Sequence, residues 1–224
     1  TNGLDTNNGL GWGTPLASLS NALKKATSDN DDIILVSNGV YAITQQLDVD
    51  KGVVLKGIGG YESTVITRDL TATCRVMKVS HANAWVEGFT LTNGLIVNAS
   101  YYKLAGAGLW LTAGIVSNCL VIGNSNLSGG DQGGGVYMSD GLLTDSIVSS
   151  NRAPAGRCYG GGIAMVGFNI NQESAENSPV GTWVPTGTGL VYNITNNGTT
   201  PLRIQIQGAA GYPSEAWCAP VSGT

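Results

Sequence analysis

The stretch GGGVYMSDGLLTDSIVSSNRA, Gly133 to Ala153, is an edited copy of GAGLWLTAGIVSNCLVIGNS, Gly106 to Ser125, and the two superpose at a constant offset of 27 residues. A third copy, GGGIAMV, starts on the same schedule at Gly160. Self-similarity at a fixed period of about 20–50 residues marks a repeat architecture. Alternation within each unit assigns directions. Leu109/Leu111, Val136/Met138 and Ile163/Met165 share one face, and Trp110, Tyr137 and Ala164 take the other.

A second strand follows in each unit, placing Val116, Cys119 and Val121 in register with Leu143, Ser146 and Val148. The earlier VEGFTL supplies Val86, Phe89 and Leu91 at the same internal spacing, and KGVVLKGIG extends the series back to Leu55 and Ile58. A unit of this length with two or three short strands and glycine corners is one coil of a parallel β-helix, in which equivalent strands stack about 4.8 Å apart. Asn118 and Asp145 share a phase, as do Asn124 and Asn151, which predicts side-chain ladders satisfying backbone groups at the corners.

Composition agrees. Charged residues make up only 12% of the 224 residues while glycine numbers 33, which disfavours helical bundles and favours short strands joined by tight turns. The net charge of −4, with no basic run longer than Lys24-Lys25, leaves no electrostatic footprint for nucleic acid. No apolar run approaches the ~20 residues that span a bilayer, so no membrane span is expected. Thr1 opens directly into polar turn residues, so a signal segment was either removed or never present. The scarce charge and Asn/Ser/Thr-rich surface point to a secreted or cell-surface protein. Four cysteines (Cys74, Cys119, Cys158, Cys218) lack metal-ligand spacing, and Cys119 falls in the core phase.

Three segments follow from these patterns. Residues 1–32 are read as an N-terminal cap with an amphipathic helix: Thr14 as N-cap, Pro15 at its first position, and Leu16, Leu19 and Leu23 on one face. Residues 33–167 are read as a parallel β-helix of about five coils, starting with DDIILVSNGVY and its turn at Asn38-Gly39. In residues 168–224 the repeat stops and LVYNI and PLRIQIQ alternate around TNNGTT, the signal of a hairpin.

The run GLDTNNGLGWGTPLASLSNALKKATSDNDDIILVSNGVYAI followed by GGG-type coils, about residues 1 to 166, resembles bacterial secreted right-handed parallel β-helix proteins of the pectin-lyase-like superfamily. The resemblance implies a right-handed parallel β-helix; with the capping helix and hairpin read above, the expected fold is all-β, a right-handed parallel β-helix with an N-terminal capping helix and a short C-terminal antiparallel β segment. That superfamily contains polysaccharide lyases, glycoside hydrolases and adhesins, so the fold alone does not choose a function. The tail from Gly181 onward, through PLRIQIQ and WCAP, is similar to part of the β-sandwich carbohydrate-binding modules of bacterial polysaccharide-degrading enzymes. Either that sandwich is truncated in this chain or the strands close the solenoid.

Lyase and hydrolase sites need carboxylates at matching phase in neighbouring coils, facing one sugar within about 5–10 Å. Asp131, Asp140 and Asp145 lie in one coil, but Ala113 and Asn118 stand opposite the last two, so the acids read as solvated turn residues. His81 is the only histidine and has no nucleophile partner in the pattern. Arg68, Arg75, Arg152 and Arg157 are each of a type that binds an acidic sugar, without a matching carboxylate cluster. GGDQGGG and YGGGI lack the Lys-Ser/Thr of a phosphate loop. No catalytic set and no protein-ligated metal is therefore expected; calcium is the one ion the resemblance allows. The candidate carbohydrate-binding residues are Trp110 and Tyr137 on the coil face and Arg203, Gln205 and Trp217 in the tail. The outward aromatics, one coil apart, either stack on each other or form a platform for sugar rings.

The reading is thus a secreted or surface β-helix that binds a polysaccharide or cell-surface glycan, or acts in adhesion, without catalysis of its own. The alternatives are a polysaccharide lyase or glycoside hydrolase and a structural spacer or fibre subunit, the last consistent with self-association.

Overall fold

A computed structural model of the chain describes residues 3–27, 32–97, 105–127 and 133–153 in full, together with the backbone of strands at Ile163–Val166, Leu202–Gln207 and Ala216–Val221. The chain divides into two compact units, Thr1–Gly167 and Phe168–Thr224. The first is an all-β parallel solenoid with one short helix among the described residues, matching the right-handed parallel β-helix expected from the repeat and the resemblance together.

With strands numbered in chain order, three parallel sheets of five strands run along the solenoid. The first sheet stacks β1 (Ile33–Val36), β4 (Val54–Gly57), β7 (Trp85–Glu87), β11 (Ile115–Ser117) and β15 (Leu142–Thr144). The second stacks β2 (Gly39–Ile43), β5 (Thr64–Arg68), β8 (Thr90–Thr92), β12 (Leu120–Ile122) and β16 (Ile147–Ser149). The third stacks β3 (Leu47–Val49), β6 (Met77–Val79), β10 (Leu109–Leu111), β14 (Val136–Met138) and β17 (Ile163–Val166). From β1 to β15 the chain completes about four turns, and β15 to β17 begin a further pass. A short pair, β9 (Leu95–Ile96) with β13 (Ser125–Asn126), adds a corner to the middle coils.

The core is a set of columns, each holding the same inward position of successive coils. Leu55, Val86 and Val116 are stacked in the first sheet, Ile66, Leu91 and Val121 in the second, and Met77, Leu109 and Val136 in the third, all fully buried. Each such side chain contributes roughly 1.5–3 kcal/mol by leaving water. The glycine corners of the repeat have a backbone reason. Gly106 (φ +64°) and Gly133 (φ +73°) lie in the left-handed region, and a Cβ at either would sit 2.1 or 2.2 Å from the carbonyl oxygen three residues on. Asn118 and Asp145, both at φ +48°, take the same left-handed corner that Gly88 (φ +80°) takes one coil earlier.

The expected side-chain ladder is built by Asn124 and Asn151. The Asn124 amide oxygen accepts from Gly94 N–H (2.7 Å), its Nδ2 donates to the Leu91 carbonyl (3.0 Å), and its backbone N–H donates to Asn151 Oδ1 (3.0 Å). Asn151 Nδ2 continues to the Val121 carbonyl at 2.9 Å. A fully buried asparagine thus joins three coils.

Three expectations need correction. The helix α1 spans Leu19–Lys25 and is capped by Ser18, not Thr14, so Pro15 and Leu16 precede it. The Asp5 carboxylate accepts from Ala17 N–H, Ser18 N–H and Ser18 Oγ, which holds residues 15–17 in a loop instead of a first helical turn. Leu19 and Leu23 do face the core. Ile58 is 50% exposed because an extra turn over 58–63 intervenes, and Thr64, fully buried, starts the next strand. In the third copy Ile163 pairs with Val136 as expected, but a register shift then pairs Met138 with Val166 instead of Met165. In the tail, Leu202–Gln207 (β18) pairs antiparallel with Ala216–Val221 (β19). The LVYNI strand and TNNGTT turn lie outside the described residues.

Candidate functional site

The outward face of the third sheet carries a column of charged and aromatic side chains. Register places Asp48, Lys78, Trp110 and Tyr137 at one position in four successive coils. At a strand spacing of about 4.8 Å, this column extends over roughly 14 Å. The Trp110 and Tyr137 rings are 6.3 Å apart at 64°, an edge-to-face pair and not a coplanar platform. Two cations stand over the indole, Arg75 Cζ at 4.6 Å and Lys78 Nζ at 4.8 Å from the ring centroid. Trp110 Nε1 is buried and finds no acceptor among the described residues.

Arg75 and Arg68 differ from the surface sugar ligands considered from sequence. Both are buried and are spent largely on backbone carbonyls. Arg75 donates from Nε to Gly106 O (2.8 Å), from Nε and Nη2 to Ala105 O (2.9 and 2.7 Å), and from Nη1 to Gln46 Oε1. Arg68 donates to the carbonyls of Asn93, Asp69 and Ala72. Each guanidinium thus ties a coil to the loop of a neighbour. Burial lowers the Arg75 pKa to about 10, opposed by the nearby Asp48 carboxylate, so it stays charged at neutral pH. Gln46 also donates to Asp48, which links the buried arginine to the first residue of the outward column.

The remaining sequence candidates are dispersed. Asp140 accepts from Gly141 N–H and Asp145 from Thr144 Oγ1, both exposed on turns, and Asp131 and Arg157 lie outside the described residues. His81 sits between β6 and β7, where its Nδ1 accepts from Asn83 N–H. Arg152 is exposed, with its backbone bridged to Ser125. Cys119 is buried, which pushes its thiol pKa up to about 11. Among the described residues, no group of three or more His, Cys, Asp or Glu could hold a metal ion, and no helix is long and apolar enough to cross a membrane. In the tail, Trp217 pairs with Ile206, while Arg203 and Gln205 pair with Pro220 and Cys218. Backbone parity therefore puts Trp217 at the alternate position to Arg203 and Gln205.

Two grooves open at the N-terminal end. One, of about 450 Å³, runs between the 8–17 loop and β1; the other, of about 690 Å³, runs between α1 and the β2–β3 segment and reaches Gln46 and Asp48. Sequence reading missed Lys78 and Asp48 because the offset to the next coil grows to 30 and 32 residues in the third sheet (Asp48 to Lys78, Lys78 to Trp110). A search for fixed 27-residue phase passes over both.

These features define a parallel β-solenoid with a cationic and aromatic outer column. No protein-family model, curated protein or solved structure matches the chain.

Proposed function

We propose that the chain is a glycan-binding or adhesive β-helix module, secreted or displayed at a cell surface, without catalysis of its own. The observation that carries this reading is the column Asp48–Lys78–Trp110–Tyr137: aromatic rings for sugar C–H surfaces, with hydrogen-bonding and charged groups at the spacing of successive coils. A chain of sugars laid along the solenoid axis would meet one such side chain per coil. The likeness to the pectin-lyase-like superfamily supports the same class of ligand. Of the candidate lyase or hydrolase carboxylates, Asp140 and Asp145 are engaged on turns of one coil, and Asp131 lies outside the described residues.

A structural spacer is the second reading, and it is favoured by Trp110 having two cations of its own chain over its ring. A glycan microarray combined with reducing-end and unsaturated-product assays separates the readings. Saturable binding without products supports the module, turnover of any polysaccharide overturns it in favour of an enzyme, and absence of binding across the array favours the spacer.

A further inference from the structure

The first sheet ends at β1, and the hydrogen bonds to β4 fix which of its backbone groups are used. Val54 N–H donates to Asp32 O and Ile58 N–H to Val36 O, so Asp32, Ile34 and Val36 face β4. In a parallel pair alternate residues turn both N–H and C=O to opposite edges. Ile33 and Leu35 therefore direct theirs away from β4, and no backbone bond from another described residue reaches them. This edge lines the 450 Å³ groove, whose far wall is the 8–17 loop.

The side chains at this edge are also out of pattern. The position of Leu35 is held in the later coils by Lys56, Glu87, Ser117 and Thr144, all polar. Among the described residues only the first coil places an apolar side chain there, and it is 48% exposed, beside Ile33 at 64%. Across the groove the loop displays Leu10 (88% exposed) and Trp12 (53%). That loop is built, not loose: Gly9 N–H donates to Thr14 O, Thr14 N–H to Gly11 O, and Asn8 Oδ1 accepts from Leu10 N–H and Thr14 Oγ1. The two charged groups on the lining are engaged, Lys25 with the Asn7 carbonyl and Asp32 with Thr27. An uncharged apolar strand edge left open is an aggregation template, and such edges are normally charged, interrupted or covered.

We propose that this groove binds an extended polypeptide segment, which adds to β1 as a sixth strand of the first sheet. N–H and C=O groups without a backbone partner among the described residues, recurring at every second residue, match a peptide backbone and no other common polymer. Continuity of the columns defines its side chains. Opposite Ile33 it extends Val54, Trp85 and Ile115; opposite Ile34 it extends Leu55, Val86 and Val116. Both columns are apolar, so the segment is apolar at adjacent positions and uncharged there.

The test uses the full chain and a blocked peptide copying Gly52–Gly57, the strand that β1 pairs with on its other edge, with a version N-methylated at its four central amides as control. Titration followed by Trp fluorescence and by amide hydrogen exchange should show saturable binding of the first peptide and none of the second. The Ile33 and Leu35 amides, exchanging freely without peptide, should slow by about tenfold or more when it is bound. Leu35→Pro removes an N–H that the native ladder does not use, so the fold should persist and binding should be lost. Trp12→Ala should weaken binding while leaving the β1–β4 pairing intact. Equal binding of the N-methylated peptide, full binding by folded Leu35→Pro, no binding by the wild-type chain, or Ile33 and Leu35 amides already protected in the free protein would each overturn the proposal.

Discussion

The coil from Leu109 to Ile122 and the first coil from Ile33 to Val49 are made of the same three strands, yet they are held differently. The later coil is paired on both sides: β10, β11 and β12 each lie between two parallel neighbours, and Val116, Cys119 and Val121 are fully buried. Among the described residues the first coil has a strand neighbour on one side only, and non-repeating contacts cover part of the other while the outer edge of β1 stays open. Helix α1 packs Leu19 and Leu23 into the core, and Lys51 donates to the carbonyls of Leu23, Lys24 and Ala26 at 2.7 to 3.1 Å, capping the helix from the coil below. A repeating interior therefore resists substitution through columns, whereas an end depends on single residues with no counterpart in other coils.

The largest effect should come from the interior. Val121→Asp places a carboxylate in a fully buried column and should cost about 4 kcal/mol or more, enough to leave little folded protein in a thermal melt. A melting temperature close to wild type would show that the column is not continuous. Asn124→Ala should cost about 2–3 kcal/mol, because Gly94 N–H and the Leu91 carbonyl lose their partners inside the solenoid. Urea denaturation would measure it, and a loss under 0.5 kcal/mol, about the scale of a surface change, would mean the ladder is decorative.

At the capped end the expected changes are smaller. Lys51→Met keeps the aliphatic stem but removes the donor to three helix carbonyls, and should cost about 1 kcal/mol. The loss should appear as faster hydrogen exchange in α1 with the middle coils unaffected; uniform acceleration would contradict a separately held end. Ile122→Asp, on the outward side of β12, should change stability by less than about 1 kcal/mol. Its contrast with Val121→Asp tests the assignment of strand faces within two adjacent residues.

The same contrast explains what could be read from the sequence. The inward columns, the glycine corners and the Asn124–Asn151 ladder are all repeated features, and repetition made them visible without any structure. Ile58 was misplaced because an inserted turn breaks the phase at one corner while the strands on both sides remain in register. The helix start was misplaced because its cap geometry is set by Asp5, 13 residues before Ser18 in sequence, and not by the local Thr-Pro signal. Lys51 as helix cap and Arg75 as inter-coil clamp depend on contacts more than 20 residues away, which no local pattern encodes. For the candidate site, the aromatic half of the column was legible from the 27-residue offset, and its Asp48–Lys78 half was hidden by longer loops.

The most direct test of the functional account is a pull-down on insoluble polysaccharides, chosen from array hits, comparing wild type with Lys78→Ala/Tyr137→Ala and with Trp217→Ala. The account predicts that the double variant loses binding by about tenfold or more while its melting temperature stays within a few degrees of wild type, since both residues stand on the outer face. Trp217→Ala should bind as wild type does. Undiminished binding by the double variant, or loss confined to Trp217→Ala, would contradict the claim that the outer column of the third sheet holds the glycan.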